Sequence, residues 1–294
     1  MFDTHCHLNF KAFQKTLPNV ISRAQEAGVS YMLIPGTDLE ASRKAVEIAK
    51  GYKGVYAAVG IHPHHTHDLR IKNAEYPPSL TCASPAATAR RELRRTSVMQ
   101  DIEDLLKNDK VVAVGEVGID KHHYEETKYE TYSVDPDFIE RQKELFIHQI
   151  CLAVKYKKSL ILHNREAVDD VLSILKDHWD RHLQGRTVFH CCESDERLLE
   201  FAKKHQVYIG VDGDITYNKE KQEFIKTVPL DLLVLETDSP FLLPEPLRTQ
   251  KKYPNEPGNI IFISSYISRL IDVNESTIQK TTTQNAKNLF GLLA

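Results

Sequence analysis

The 294-residue chain reads as an α/β protein: a single, slightly distorted TIM-type (β/α)8 barrel spanning 1–294, with loops inserted at its C-terminal rim. Three observations predict this. Eight short β-branched or apolar runs recur along the chain, and longer stretches with helical spacing lie between them, the signature of βα units on a parallel sheet. The length suits one barrel with insertions, although two ordinary domains would also fit it. The competing open doubly wound sheet usually carries a Gly-rich phosphate turn after its first strand, and here that position reads Thr4-His5-Cys6-His7-Leu8-Asn9.

Strands are expected at 2–8, 31–35, 55–61, 111–117, 159–163, 187–191, 207–211 and 232–237. Each is five to seven residues rich in Val, Ile, Leu, Tyr or Phe. Apolar residues at three- and four-residue spacing predict helices over 20–27, 40–51, 137–157, 167–178, 196–205 and 219–227. Three connections break the rhythm. Residues 66–100 hold Tyr76-Pro77-Pro78 and a basic run from Arg90 to Arg95, and are read as a lid or a poorly ordered insert. Residues 121–136 are polar, and 244–258 contain four prolines. Long loops on one rim of a rigid scaffold are where substrate contacts tend to collect.

Composition narrows the function. Thirty-eight Lys+Arg against 41 Asp+Glu leave a formal charge of -3, so no global field draws the chain onto nucleic acid or an anionic membrane. Any polyanion contact must be local. The five cysteines, Cys6, Cys82, Cys151, Cys191 and Cys192, have no framework spacing. Asp3 and His5 stand so close to the start that no leader is expected, and a reducing cytoplasm is the expected compartment. No apolar run approaches the roughly 20 residues of a membrane-spanning helix, so no membrane association is expected.

The polar residues that do not suit their surroundings fall at the same ends of different strands. His5 and His7 are two residues apart, so on a strand both imidazoles face one side and suit a divalent cation. Glu116 interrupts Val111-Val112-Ala113-Val114-Gly115-Glu116-Val117, a run that reads as a buried strand, and a carboxylate is seldom buried unless paired or metal-bound. Asp238 ends another such run, with Glu236 on the same face one layer below as its outer partner. The other reading of each acid is a salt bridge to a neighbouring strand or a helix cap. His62, His163 and His190 end three further strands, and a parallel barrel brings such ends to its active rim. Cys191 and Cys192 are read as small packing residues, and His148, His178, His182 and His205 as ordinary helix-surface ones.

In this order the strand ends resemble the TatD-type deoxyribonucleases, a family of metal-dependent hydrolases. The motifs are Asp3-Thr4-His5-Cys6-His7-Leu8, Gly60-Ile61-His62-Pro63-His64, Gly115-Glu116-Val117-Gly118-Ile119-Asp120, His163-Asn164-Arg165-Glu166-Ala167, Phe189-His190-Cys191, Glu236-Thr237-Asp238-Ser239-Pro240 and Asn255-Glu256-Pro257. The resemblance runs over nearly the whole chain. It implies a barrel holding two divalent ions, one on His5, His7, Glu116 and Asp238, the other on Glu116, His163 and His190, with Glu116 bridging. It implies Mg2+ for nuclease activity, and the ligand chemistry also suits Zn2+ or Mn2+. Two departures stand out: the 66–100 insert is longer than the family's usual connection, and Asp212 and Asp214 replace small or hydroxyl residues. Their charge would repel a phosphate unless a cation offsets it.

Such a site cleaves phosphodiesters without a nucleophilic Ser or Cys. Glu116 and Asp238 are the expected catalytic residues, Asp238 also as the base that orients water. Arg165 and His62 are assigned to the substrate, and Lys219, Lys221, Lys251 and Lys252 could hold flanking phosphates. Asn255 and Glu256 are read as shaping their loop. The expected substrate is DNA, held weakly and attacked at single strands or ends, with no obligate protein partner. The same site could instead serve an amidohydrolase-like esterase or amidase, or a metal-binding scaffold without turnover.

Overall fold

A computed structural model describes residues 1–68, 97–125 and 132–292. Eight strands are parallel and hydrogen-bonded in chain order: β1 Phe2–Asp3, β2 Tyr31–Ile34, β3 Val55–Val59, β4 Val111–Asp120, β5 Ser159–Arg165, β6 Thr187–Phe189, β7 Tyr208–Val211 and β8 Leu233–Leu235. The sheet closes on itself because Thr4 N–H donates to Leu235 O at 3.0 Å and Cys6 bridges Ser239. The expected (β/α)8 barrel is therefore present.

Nine α-helices lie among the described residues: α1 Leu17–Glu26, α2 Leu39–Gly51, α3 Ser97–Leu105, α4 Pro136–Tyr156, α5 Val168–His178, α6 Glu196–His205, α7 Lys219–Ile225, α8 Ile260–Leu270 and α9 Glu275–Phe290. Their starts follow from local chemistry. Asp38, Asp135, Asp195, Asn218 and Asn274 each accept a backbone N–H in the first turn of the helix they precede. None of the helices is long and apolar enough to cross a membrane.

The strand alternation divides the core in two. Inward residues from all eight strands, including Leu33, Ala58, Ile161, Val188 and Val234, share a cluster with Ala286, Leu289 and Phe290 of α9. Phe290 packs on Phe2 with ring centroids 5.5 Å apart, so α9 caps the N-terminal mouth. The outward residues, such as Met32, Val59, Leu162 and Leu235, pack under the surrounding helices. The C-terminal mouth carries the buried His5, His7, Glu116 and His190.

The structure corrects several expected boundaries. The first strand was expected over 2–8 but covers only Phe2–Asp3, so His5 and His7 lie just beyond it. They keep strand-like placement because Cys6 N–H donates to Leu33 O and Asp238 N–H donates to His5 O. β4 runs on to Asp120, whereas β6 and β8 end before His190 and Glu236. The barrel is distorted by register shifts between Ala57 and Ala58 and between Val114 and Val117. α3, α8 and α9 fall outside the expected helix spans. Most of the 66–100 insert, residues 126–131 of the second connection, and Cys82 lie outside the described residues.

Candidate active site

Glu116 is the centre of the site, and its two oxygens face different partners. Oε2 lies 3.4 Å from His5 Nε2 and 3.8 Å from His7 Nε2. Oε1 lies 2.7 Å from His163 Nδ1, 3.7 Å from His62 Nε2 and 3.8 Å from His190 Nε2. Asp238 closes the ring, with Oδ1 3.3 Å from His7 Nε2 and 3.8 Å from both His5 and His190. The Nε2 atoms of His5 and His7 are 3.2 Å apart, and the rings of His5 and His190 stack with centroids separated by 3.4 Å. The eight metal-ligand and substrate candidates, Arg165 included, thus lie at the C-terminal mouth, whereas Glu236, expected as the outer partner of Asp238, contacts His190 instead.

Local backbone geometry makes this convergence possible. Gly118 has φ +151°, and a Cβ there would stand 1.9 Å from His163 O, so only glycine lets β4 approach β5 closely enough to join His163 to Glu116. Glu236 Oε1 accepts the Cys191 N–H at 2.6 Å and lies 3.0 Å from His190 Nδ1, on the ring that carries Nε2 toward Glu116. Asn255 donates to the carbonyls of Thr237 and Phe241 from its side chain, and Glu256 pairs with Arg23, so these two residues shape the loop as expected.

The electrostatics are those of a buried anion surrounded by imidazoles. Burial works against the charge on Glu116, but His62, His163 and His5 together hold its carboxyl well below the ordinary range. Burial also opposes charge on His163, yet the hydrogen bonds it donates to Asp120 and Glu116 raise it to about 9. His190 is likewise raised to about 10, burial being outweighed by Glu236. Burial pushes His5 down and His62 well down, so both are neutral with lone pairs available to a cation. The Nε2 atoms of His5 and His7 converge with Glu116 Oε2, a donor set that fits a divalent cation. His62, Asp120 and His163 form another set of the same kind.

Asp120 is the residue that sequence reasoning left without a role. Its Oδ2 lies 3.1 Å from His163 Nε2 and accepts from the Tyr124 hydroxyl at 2.8 Å. The signal was present, because 116 and 120 fall on one face by the period of two. Arg165 is exposed and donates to Tyr124 Oη at 2.9 Å. Lys221, a candidate for substrate phosphate, is instead buried against this chain's own acids, 2.8 Å from Asp214 and 3.5 Å from Asp212. It is the cation that offsets them. A cavity of about 1120 Å³ opens over His7, Glu116, His163, His190 and Asp238, walled by Phe10, Phe241, Tyr124 and Arg165.

Imidazoles and acids from six strand ends, gathered at the C-terminal mouth of a (β/α)8 barrel, define a metal-dependent hydrolase. The chain belongs to the TatD related DNase family, whose family model matches residues 2–291. It is 31% identical over 99% of its length to a metal-dependent hydrolase of Bacillus subtilis named YabD, covering 98% of that protein. It is 28% identical to the Escherichia coli 3'-5' ssDNA/RNA exonuclease TatD, with 99% of each chain covered. Among solved structures, it superposes on the E. coli TatD homologue YJJV with a TM-score of 0.78 and 26% identity, covering 99% of this chain and 98% of that one.

Proposed function

We propose that this TatD-family hydrolase is a deoxyribonuclease that uses two divalent ions to trim single-stranded DNA from an end. The observation that carries the reading is the division of Glu116 between two ligand groups. Oε2 serves the His5, His7 and Asp238 side, and Oε1 serves the His163 and His190 side. A relative matched over its full length is named a 3'-5' ssDNA/RNA exonuclease, which supports the choice of substrate.

When bound, a pair of divalent ions, Mg2+ in the working enzyme and Mn2+ or Zn2+ as substitutes, supplies Lewis acidity and neutralises the charge that builds on a phosphodiester. His5, His7, Asp238 and Glu116 would hold one ion; Glu116, His163 and His190 would hold the other. Asp238 Oδ1 accepts a proton from the attacking water, and its half-buried position keeps that oxygen both within the ligand ring and open to the cavity. Arg165 binds a phosphate oxygen from the cavity wall, and His62 orients the substrate beside Glu116. Glu236 sets the His190 ring and Asp120 sets that of His163. With a net charge of -3 the grip on DNA is weak and end-directed, which needs no obligate protein partner. The cytoplasm and a single catalytic unit spanning the chain complete this reading.

The test begins with metal-stripped protein given Mg2+, Mn2+ or Zn2+ and offered labelled single-stranded DNA beside ester and amide substrates. Metal-dependent shortening of DNA is expected, and it should disappear in Glu116→Ala and Asp238→Asn. Cleavage that persists in those variants, or cleavage of the ester or amide alone, overturns the proposal.

A further inference from the structure

We infer that Phe10 and Phe241 form a shelf on which the base of the terminal nucleotide stacks while its phosphate sits at Glu116 and Asp238. The inference rests on the nuclease reading above and names residues that would select the substrate. Phe241 is 50% exposed, one of three large hydrophobic side chains left so open among the described residues, and of these three it alone lines the cavity.

The ring is exposed yet firmly placed. Its backbone N–H donates to Asp238 O at 2.8 Å, and its carbonyl accepts from buried Asn255 at 2.7 Å, so the turn that positions Asp238 also positions Phe241. Phe241 meets Phe10 edge-on at 6.1 Å and 76°, and His7 at 6.2 Å and 70°. Phe10 stacks on His7 at 4.3 Å and 24°. The shelf is thus continuous with a ring that reaches Asp238 through Nε2. An apolar ring left half open to the cavity gives up burial that folding alone would favour. What it offers is a preorganised stacking surface one ring away from the acids.

Arg165 and Tyr124 on another wall of the cavity suit the charged part of the same ligand: the guanidinium lies 5.1 Å over the Tyr124 ring. A nucleotide satisfies both walls, with its flat apolar base over Phe241 and its phosphate near the basic side. Stacking tolerates any base, because every base presents a π-face. A paired end must first give up its duplex stacking and hydrogen bonds, so the shelf favours single strands.

The test compares labelled single-stranded oligonucleotides that differ only in whether the terminal nucleotide, at either end in turn, carries a base or an abasic sugar. Metal-loaded wild-type protein is expected to cut the base-bearing end with about tenfold higher kcat/KM, mostly through KM. In Phe241→Ala the ratio should fall toward one, and Phe241→Trp should restore it. Melting temperature and metal content are measured on each variant. A wild-type ratio near one at both ends overturns the inference, as does an unchanged ratio in Phe241→Ala. Failure of the wild-type protein to cut any of the substrates removes the nuclease reading and this inference with it, a result distinct from cutting without base preference.

Discussion

Asp120 Oδ2 lies 3.1 Å from His163 Nε2, on the side of the ring opposite the 2.7 Å contact between Nδ1 and Glu116 Oε1. An imidazole held between two carboxylates donates from both nitrogens and carries a proton, which is why His163 is raised to about 9 while Asp120 is lowered to about 2. Burial acts against both charges, and the hydrogen bonds and mutual attraction outweigh it.

Asp120 therefore orients His163, and Asp120→Asn should weaken divalent-cation binding by roughly 10- to 100-fold without unfolding the barrel. Titration with Mn2+, followed by calorimetry, measures this. Unchanged affinity would mean that His163 needs no such partner.

Glu116→Gln removes the carboxylate shared by both groups of ligands. Loss of several kcal/mol of charge stabilisation predicts activity lowered roughly a thousandfold. Metal analysis should show a deficit of both ions. Loss of just one would show that Glu116 does not bridge.

Gly210 faces the acid that sets His190, since a Cβ there would lie 2.5 Å from Glu236 Oε1. Gly210→Ala should displace Glu236, lower activity about tenfold, and cost roughly 1–3 kcal/mol of stability from overpacking. Urea unfolding and steady-state rates check both effects. A fully active Gly210→Ala protein would show that the Glu236 contact with His190 is dispensable.

Asp214 supplies a pH signature away from the metal ligands. Burial and the neighbouring Asp212 charge raise its carboxyl above the ordinary range, with Lys221 opposing. The folded state thus binds this proton more tightly than the unfolded state. Its stabilising contribution is complete below the unfolded pKa and is lost as pH rises through the raised folded one. Asp214→Asn does not titrate, so its stability relative to wild type should increase as pH is raised from about 4 through neutrality and then level off. Urea melts of the two proteins at matched pH give the difference, and a difference that stays flat or runs the other way refutes the shift.

Much of the site was legible because its signals are local. A carboxylate within Val111–Val117, paired histidines two residues apart, and His163 and His190 closing apolar runs are each visible in a short window. Alternation then fixes which way each side chain faces. The extents of β1 and β8 were not legible, because those residues are ordered by hydrogen bonds to chain more than 200 residues away, such as Thr4 to Leu235. The basic run at 90–95 and the rest of residues 69–96 lie outside the described residues.

By itself the sequence determined the barrel class and most of the acids and imidazoles at its rim, since periodicity and misplaced polarity are properties of contiguous residues. Only the tertiary structure decided that Glu116 splits its oxygens between two groups, that Asp120 holds His163, that Lys221 belongs to Asp212 and Asp214, and that Phe10 meets Phe241. Those relations join residues from separate strands and loops. Closure of the sheet sets their separations, and no single segment of the chain carries that distance.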